Sequence, residues 1–389
     1  MQKDEVKRAL RGRDIVCFSH DWTGDPLSKT HLMRVLARDN RILWVNALPN
    51  RMPTAAAKDV SRIARKLKSF AEPVREVERN IFVLNPLVIP AYGSESIVSL
   101  NRKFLVRQIR RSMRRLGFEN VVNMVFNPAA GLIAGHLGES ELIYYCVDEY
   151  TAFTGVAAGL KEIEEDLFRK ADVVVVSAEK LLESKARFNP ETHLIRHGTD
   201  WRHFRKAVDG SLELPTDVAD LPRPIIGFHG LIADWVDLEL VQKIAEHFSQ
   251  GSVVLVGKHT IETERLVAEL RSIANVHVLG RKPYSELPAY CAAFDVAINP
   301  FVINELTLAA NPLKVREYLA AGLPVVSTDI PEVRVLADVS VGDSHDSFIE
   351  KIEHALAHAK PRAAVSDAIR AESWEAKVDE LRKILEERK

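Results

Sequence analysis

The sequence predicts an α/β protein of two Rossmann-like domains, each a parallel sheet clothed in helices. Ligands are expected where the carboxyl ends of the two strand sets face each other across a cleft. Three observations lead there. The chain has 389 residues, more than one hydrophobic core usually serves. Short apolar runs alternate with stretches of helical periodicity. A polar, proline-rich passage, Asp209-Gly210-Ser211 through Leu221-Pro222-Arg223-Pro224, separates two such series.

The first series opens as strand, loop, helix, strand. Ile15-Val16-Cys17-Phe18 leads into the polar loop Ser19 to Ser28, a helix over about 29–39 and a second strand at 41–46. Further strands are expected at 81–84, 121–125, 142–146 and 173–176, with 193–196 closing the sheet. The second series places strands at 224–228, 253–257, 276–280, 296–298 and 324–327, and a long charged helix over 370–389 ends the chain. Domains over 1–205 and 206–364 follow.

Composition is that of a folded chain, 47% hydrophobic and 28% charged. The net charge of −1 hides an asymmetry: residues 1–116 hold 24 Lys and Arg against 11 Asp and Glu, a balance of +13. Cys17, Cys146 and Cys291 sit in or beside apolar runs, as buried thiols do, and no Cys-x2-Cys or His/Cys cluster accompanies them. Met1 to Arg13 lacks the apolar stretch of a secretion signal, and no segment approaches the ~20 apolar residues of a membrane span. A cytoplasmic protein is expected.

The most informative segment runs from Asn299 to Val326. Asn311 suits a helix N-cap, Pro312 the first helical position and Gly322 the left-handed C-terminal cap. The N-terminus of that helix attracts an anion through its unpaired N–H groups, and Lys314 adds a full charge. Glu317, three residues on, shares the lysine's side of the helix and stands where a ribose would follow a diphosphate. The same spacing also fits an ordinary Lys/Glu pair on a solvated helix.

Residues 312–326, Pro-Leu-Lys-Val-Arg-Glu-Tyr-Leu-Ala-Ala-Gly-Leu-Pro-Val-Val, resemble the Pro-x-Lys-x-x-Glu-Tyr-x-Ala-x-Gly-x-Pro-Val-Val block of GT-B glycosyltransferases of the glycogen-synthase-like, retaining group. Neighbouring positions extend the likeness: Gly227-Phe228-His229-Gly230, Leu279-Gly280-Arg281 with Tyr284, and Asp295-Val296 before Pro300-Phe301. The pattern is similar to transferases of bacterial surface polysaccharide, including teichuronic-acid-type enzymes. It is strong over the second half and weak over the first.

The resemblance implies that Glu317 binds ribose, that Asn311, Leu313 and Lys314 hold the diphosphate and donor sugar, that the loop after Gly230 faces the phosphates, and that Gly280 and Arg281 lie near the base. It implies a UDP- or GDP-linked donor as substrate, with no cofactor, and a C-terminal helix, 365–389, that completes the first domain. Two positions depart from the pattern. Ala309 stands eight residues before Glu317, where many relatives carry a glutamate, and Leu231-Ile232-Ala233-Asp234 replaces a basic pair. Lys314 and Arg281 are left to supply most of the positive charge.

In the first half, Gly24 and its neighbours at the first strand end are expected to line the cleft, and no Gly-x-Gly-x-x-Gly fingerprint appears there. Asp148, after the strand Leu142 to Cys146, matches a polar residue that in the family approaches the reacting sugars; it also suits a helix cap or surface acid. Asp148 or His20 is a candidate to take the acceptor hydroxyl proton if transfer inverts; if it retains, the leaving diphosphate receives it. His197 and Gly198 resemble a His/Asn-Gly-x-Asp turn of relatives that faces the cleft, and equally fit a structural hinge. No Asp-x-Asp pair occurs, so no metal is expected.

The run 102–116 carries seven cations and no acid, with Phe104, Leu105, Ile109, Met113 and Leu116 on one helical stripe. With a second basic run at Lys58, Arg62, Arg65, Lys66 and Lys68, it is expected to attract an anionic membrane surface; a core-packed helix with a solvated basic face is the alternative. No nucleic-acid motif accompanies the charge. The partners expected are therefore a nucleotide-sugar donor, a saccharide or lipid-linked saccharide acceptor, and the inner membrane face. A sugar-nucleotide 2-epimerase and a non-catalytic assembly partner are the rival readings.

Overall fold

The computed structural model describes residues 10–48, 74–89, 94–153 and 156–388. By internal contacts the chain divides into one unit of residues 1–196 and 377–389 and another of 197–376. The basic run Lys58 to Lys68 lies outside the described residues.

The first unit is built on a sheet with the order β3-β4-β2-β1-β5-β6-β7-β8. Its strands are β1 (Asp14–Phe18), β2 (Arg41–Val45), β3 (Arg75–Glu78), β4 (Ile81–Leu84), β5 (Val122–Val125), β6 (Glu141–Cys146), β7 (Val173–Val176) and β8 (Thr192–Leu194). All neighbours pair in parallel except β3 with β4. β1, β5 and β7 are buried along their whole length, as apolar runs covered on both faces by helices must be. The sequence does not announce β3: Arg-Glu-Val-Glu has the charged character of an edge strand and reads as loop.

The second unit carries β9 (Ile225–His229), β10 (Ser252–Val256), β11 (Val276–Gly280), β12 (Val296–Asn299), β13 (Val325–Thr328) and β14 (Val339–Gly342). They lie in the order β11-β10-β9-β12-β13-β14, all parallel. β14, a further edge strand, is also unannounced. Phe228, Phe294, Val315, Tyr318 and Phe348 are buried in its core.

Three helical expectations need correction. The helix after Asn311 spans Leu313–Ala320 with Pro312 in the cap position, so Asn311 lies outside it; Gly322, at φ +75°, takes the left-handed turn after it. The charged C-terminal helix is shorter than 370–389: a 3-10 turn at Ile369–Glu372 precedes the helix Trp374–Glu387. Its Arg382 pairs with Asp39 at 2.7 Å and its Arg388 with Glu141 at 3.0 Å, tying it into the first unit. On the basic helix Glu95–Leu116, Leu105, Ile109 and Met113 are buried as expected, but Phe104 is 42% exposed. Asn101 takes the inward position instead, bonded to both the N–H and the carbonyl of Ile89 at 3.0 and 2.7 Å. No helix among the described residues is long and apolar enough to cross a membrane.

Candidate active site

In the second unit the chain lays β9 at the centre, steps outward through β10 and β11, and returns to β12 on the other side of β9. Where connections diverge in this way a crevice opens beyond the carboxyl ends of the two central strands. Lys314 lies beside these two strand ends. Lys314 Nζ sits 4.3 Å from the ring centre of Phe228 at the end of β9 and 4.6 Å from that of Phe301 just past β12. Gly230, φ +139°, makes this possible: a Cβ on it would lie 2.8 Å from Nζ.

Glu317 is buried, one turn along the same helix. Burial drives the two charges in opposite directions. It lowers Lys314 to about 7, against the pull of Glu317, and raises Glu317 to about 8, with Asp200 adding to the rise and Lys314 opposing it. Each is the other's counter-charge, and for both groups burial outweighs that attraction.

The helix is fixed on two sides. Tyr318 OH accepts from the His229 N–H at 2.7 Å and donates to the His229 carbonyl at 3.2 Å, locking the helix to the end of β9. Before the helix, the Asn311 carbonyl accepts from His197 Nδ1 at 3.0 Å, its side-chain oxygen accepts from the fully buried Arg316, and its amide donates to Glu332 at 3.3 Å. Asn311 therefore positions the turn rather than capping the helix, and His197 braces it. Gly198 meets a steric need, since a Cβ there would lie 3.0 Å from Trp374. Leu313 is the first helical residue and half-buried. Gly280 ends β11 and Arg281 beyond it is exposed.

The first unit repeats the topology: β1 is central, with β2 and β4 on one side and β5, β6 and β7 on the other. Beyond these strand ends lies a polar cluster. The His20 ring has Ser19 Oγ 3.1 Å from Nδ1 and Thr30 Oγ1 3.2 Å from Nε2. Burial, with Lys29 adding, lowers its pKa to about 3. Lys29 donates to Tyr150 OH at 3.3 Å, and that hydroxyl donates to the Phe126 carbonyl at 2.8 Å. Burial raises Asp148 and lowers Lys29, and each opposes the other's shift, so the two form an electrostatic pair. The next residue turns the other way: Glu149 pairs with the buried Lys185 at 2.7 Å. Gly24 is exposed, its N–H closing a turn onto the Asp21 carbonyl at 3.1 Å.

Residues 223–358 match the family described as glycosyl transferases group 1. A putative teichuronic acid biosynthesis glycosyltransferase of Bacillus subtilis (strain 168) is 25% identical over 250 residues, which is 59% of this chain and 62% of that protein's length. Sucrose-phosphate synthase from Thermosynechococcus elongatus superposes with a TM-score of 0.69 at 16% identity, covering 95% of this chain and 97% of that one. The chain has the GT-B glycosyltransferase fold. The α,α-trehalose 6-phosphate synthase of Burkholderia multivorans (TM-score 0.68, 12% identity, 96% and 98% covered) and Anabaena Alr3699/HepE in complex with UDP (0.63, 13%, 95% and 97%) share it.

Within this GT-B chain, the group 1 domain spans Gly230, Gly280, Arg281, Asn311, Leu313, Lys314 and Glu317. Sequence reasoning gives no role to His229, Tyr318, Phe228 or Lys29. The first three stand inside quoted motif stretches, where their presence was the available signal. Lys29 opens an amphipathic helix, and only the fold brings it to Asp148 and Tyr150.

Proposed function

We propose that this chain transfers a sugar from a nucleotide diphosphate sugar to a saccharide acceptor, lipid-linked and belonging to surface polysaccharide synthesis. The observation that carries the reading is Lys314 at the crevice beyond β9 and β12 with Glu317 one turn away. An ammonium held between two rings and lowered by burial gains most when a diphosphate arrives to compensate it. Glu317, short of donors, accepts from the ribose hydroxyls. The related structures support the donor class: one is described with UDP and another, from E. coli, with UDP-2-fluoro glucose.

In the reaction the bond between the anomeric carbon and the diphosphate oxygen breaks. The acceptor oxygen forms the new bond to that carbon and loses its proton. The electron pair goes to the diphosphate, where Lys314 and the helix N-terminus stabilise it. We favour retention of configuration, with the leaving diphosphate taking the proton, and no requirement for a metal. Asp148, drawn toward neutrality by burial and opposed in this by Lys29, orients the acceptor hydroxyl under retention and would take its proton only if transfer inverted. His20, with a pKa of about 3 and both ring nitrogens against hydroxyls, is the poorer base.

For the membrane, the helix Glu95–Leu116 presents Leu100, 56% exposed, and Phe104 on the face that also carries exposed Lys103, Arg107 and Arg111. Apolar tips among cations suit peripheral docking on anionic lipid at the cytoplasmic face. The function is tested by incubating the chain with nucleotide sugars, with and without saccharide and lipid-linked acceptors. Acceptor-dependent release of nucleoside diphosphate is expected. Consumption without acceptor would indicate an epimerase, and none with any donor a non-catalytic partner.

A further inference from the structure

His229 ends β9, next to Gly230, and no part of the function above uses it. It is 3% exposed, and its Nε2 is buried without a hydrogen-bond partner among the described residues. That atom lies 3.8 Å from Glu317 Oε2. The ring cannot easily turn away. Phe204 lies nearly parallel to it at 5.9 Å and Tyr318 meets it edge-on at 4.6 Å, while the Tyr318 hydroxyl holds its backbone on both polar atoms.

We infer that His229 is a positioning residue for nucleotide recognition: its Nε2–H anchors one oxygen of Glu317 so that the other is presented to the ribose hydroxyls. This rests on the donor reading of the site given above. A buried imidazole nitrogen left unpaired is costly, and so is a buried carboxyl group without partners. A movement of about 1 Å by Glu317 brings the pair within hydrogen-bond range and relieves both. The histidine stays neutral in this role, because burial and the nearby Lys314 lower its pKa to about 3. A neutral donor can hold the carboxyl oxygen of Glu317 without adding a cation beside Lys314. Lysine or arginine in its place would repel Lys314 and compete with it for Glu317.

The experiment measures binding of uridine and guanosine diphosphates, and of their 2′,3′-dideoxy forms, to the parent, Glu317→Gln, His229→Phe and His229→Gln chains by calorimetry. His229→Phe keeps the ring stack and removes the donor, whereas His229→Gln restores an N–H near the Nε2 position. Thermal melts check that each variant is folded. Expected is a roughly ten- to hundredfold loss of ribonucleoside diphosphate affinity in His229→Phe, largely regained in His229→Gln and nearly absent with the dideoxy forms. Equal loss for ribose and dideoxyribose forms, or no loss, overturns the role of His229 while a ribose-specific loss in Glu317→Gln leaves the donor reading standing. If Glu317→Gln itself shows no ribose-specific loss, the donor reading fails and the His229 role with it.

Discussion

Lys314 and Glu317 each sit where burial opposes their charge, and that cost is visible as a dependence of stability on pH. Glu317 is raised from 4.5 to about 8. Between those values the folded chain keeps a proton that the unfolded chain has lost. The stability this group contributes is therefore whole below pH 4.5 and is lost as pH rises through about 8. Glu317→Gln cannot titrate, so its Tm relative to the parent is expected to be a few degrees higher at pH 8 than at pH 5; an unchanged gap would mean that the carboxylate is not buried as described. At the acceptor side, Asp148→Asn is expected to lower kcat by about a hundredfold or more with donor affinity held within about twofold; unchanged turnover removes Asp148 from the mechanism. Lys314 and Glu317 stood out in the sequence because both fall within one contiguous motif stretch, although their spacing alone also fits an ordinary surface pair. His229 and Lys29 were not, because their partners lie 88 and 119 positions away in the chain and only the sheet order brings them together.

Among the elements, the helix Leu313–Ala320 does most to build the donor site, and the buried network behind it explains why a charged residue, Arg316, occupies its inner face. Arg316 donates to Asn311, which in turn donates to the buried Glu332, and Glu372 lies 3.9 Å from its Nε. Arg316→Met leaves those acceptors uncompensated and is expected to cost about 3–5 kcal/mol, read as a lowered denaturation midpoint with unchanged m-value. A cost below about 1 kcal/mol would show that the network is not what holds the turn. The cap was misplaced by one residue from sequence because Asn311 is a good capping type; its side chain is claimed by Arg316 and Glu332 instead. On the helix Glu95–Leu116, periodicity assigned Leu105, Ile109 and Met113 correctly and Phe104 wrongly, since an aromatic at the border of a stripe turns inward or outward according to its neighbours. Reversing charge at Lys103, Arg107 and Arg111 together is expected to weaken co-sedimentation with phosphatidylserine-containing vesicles by at least about a hundredfold, at ~1 kcal/mol per cation. Equal binding by parent and variant would place any membrane contact elsewhere.

At the scale of the whole molecule, the parallel strands of both sheets follow one pattern, a central strand, two strands to one side, then a return to its other side, with the antiparallel β3 added at the edge of the first sheet. The apolar runs of both series were legible because strands buried on both faces stand out from helical periodicity. The edge strands β3 and β14 were not, because Arg-Glu-Val-Glu is mostly charged and Val-Ser-Val-Gly breaks its apolar run with Ser and Gly. The topology explains why the chemistry-bearing residues of each unit gather beyond the carboxyl ends of β1 and β9, although they are scattered along the chain. The measurement closest to the central claim is a thermal-stability screen of nucleotide sugars on the parent, Lys314→Met and Glu317→Gln chains. A ligand that binds only the folded state must raise the melting temperature, and the rise grows with the logarithm of its concentration once that exceeds Kd. One nucleotide sugar is expected to stabilise the parent with a shift that grows with the logarithm of its concentration, and the shift is lost in both variants; no shift with any donor, or the same shift in all three chains, would contradict the assignment of this site.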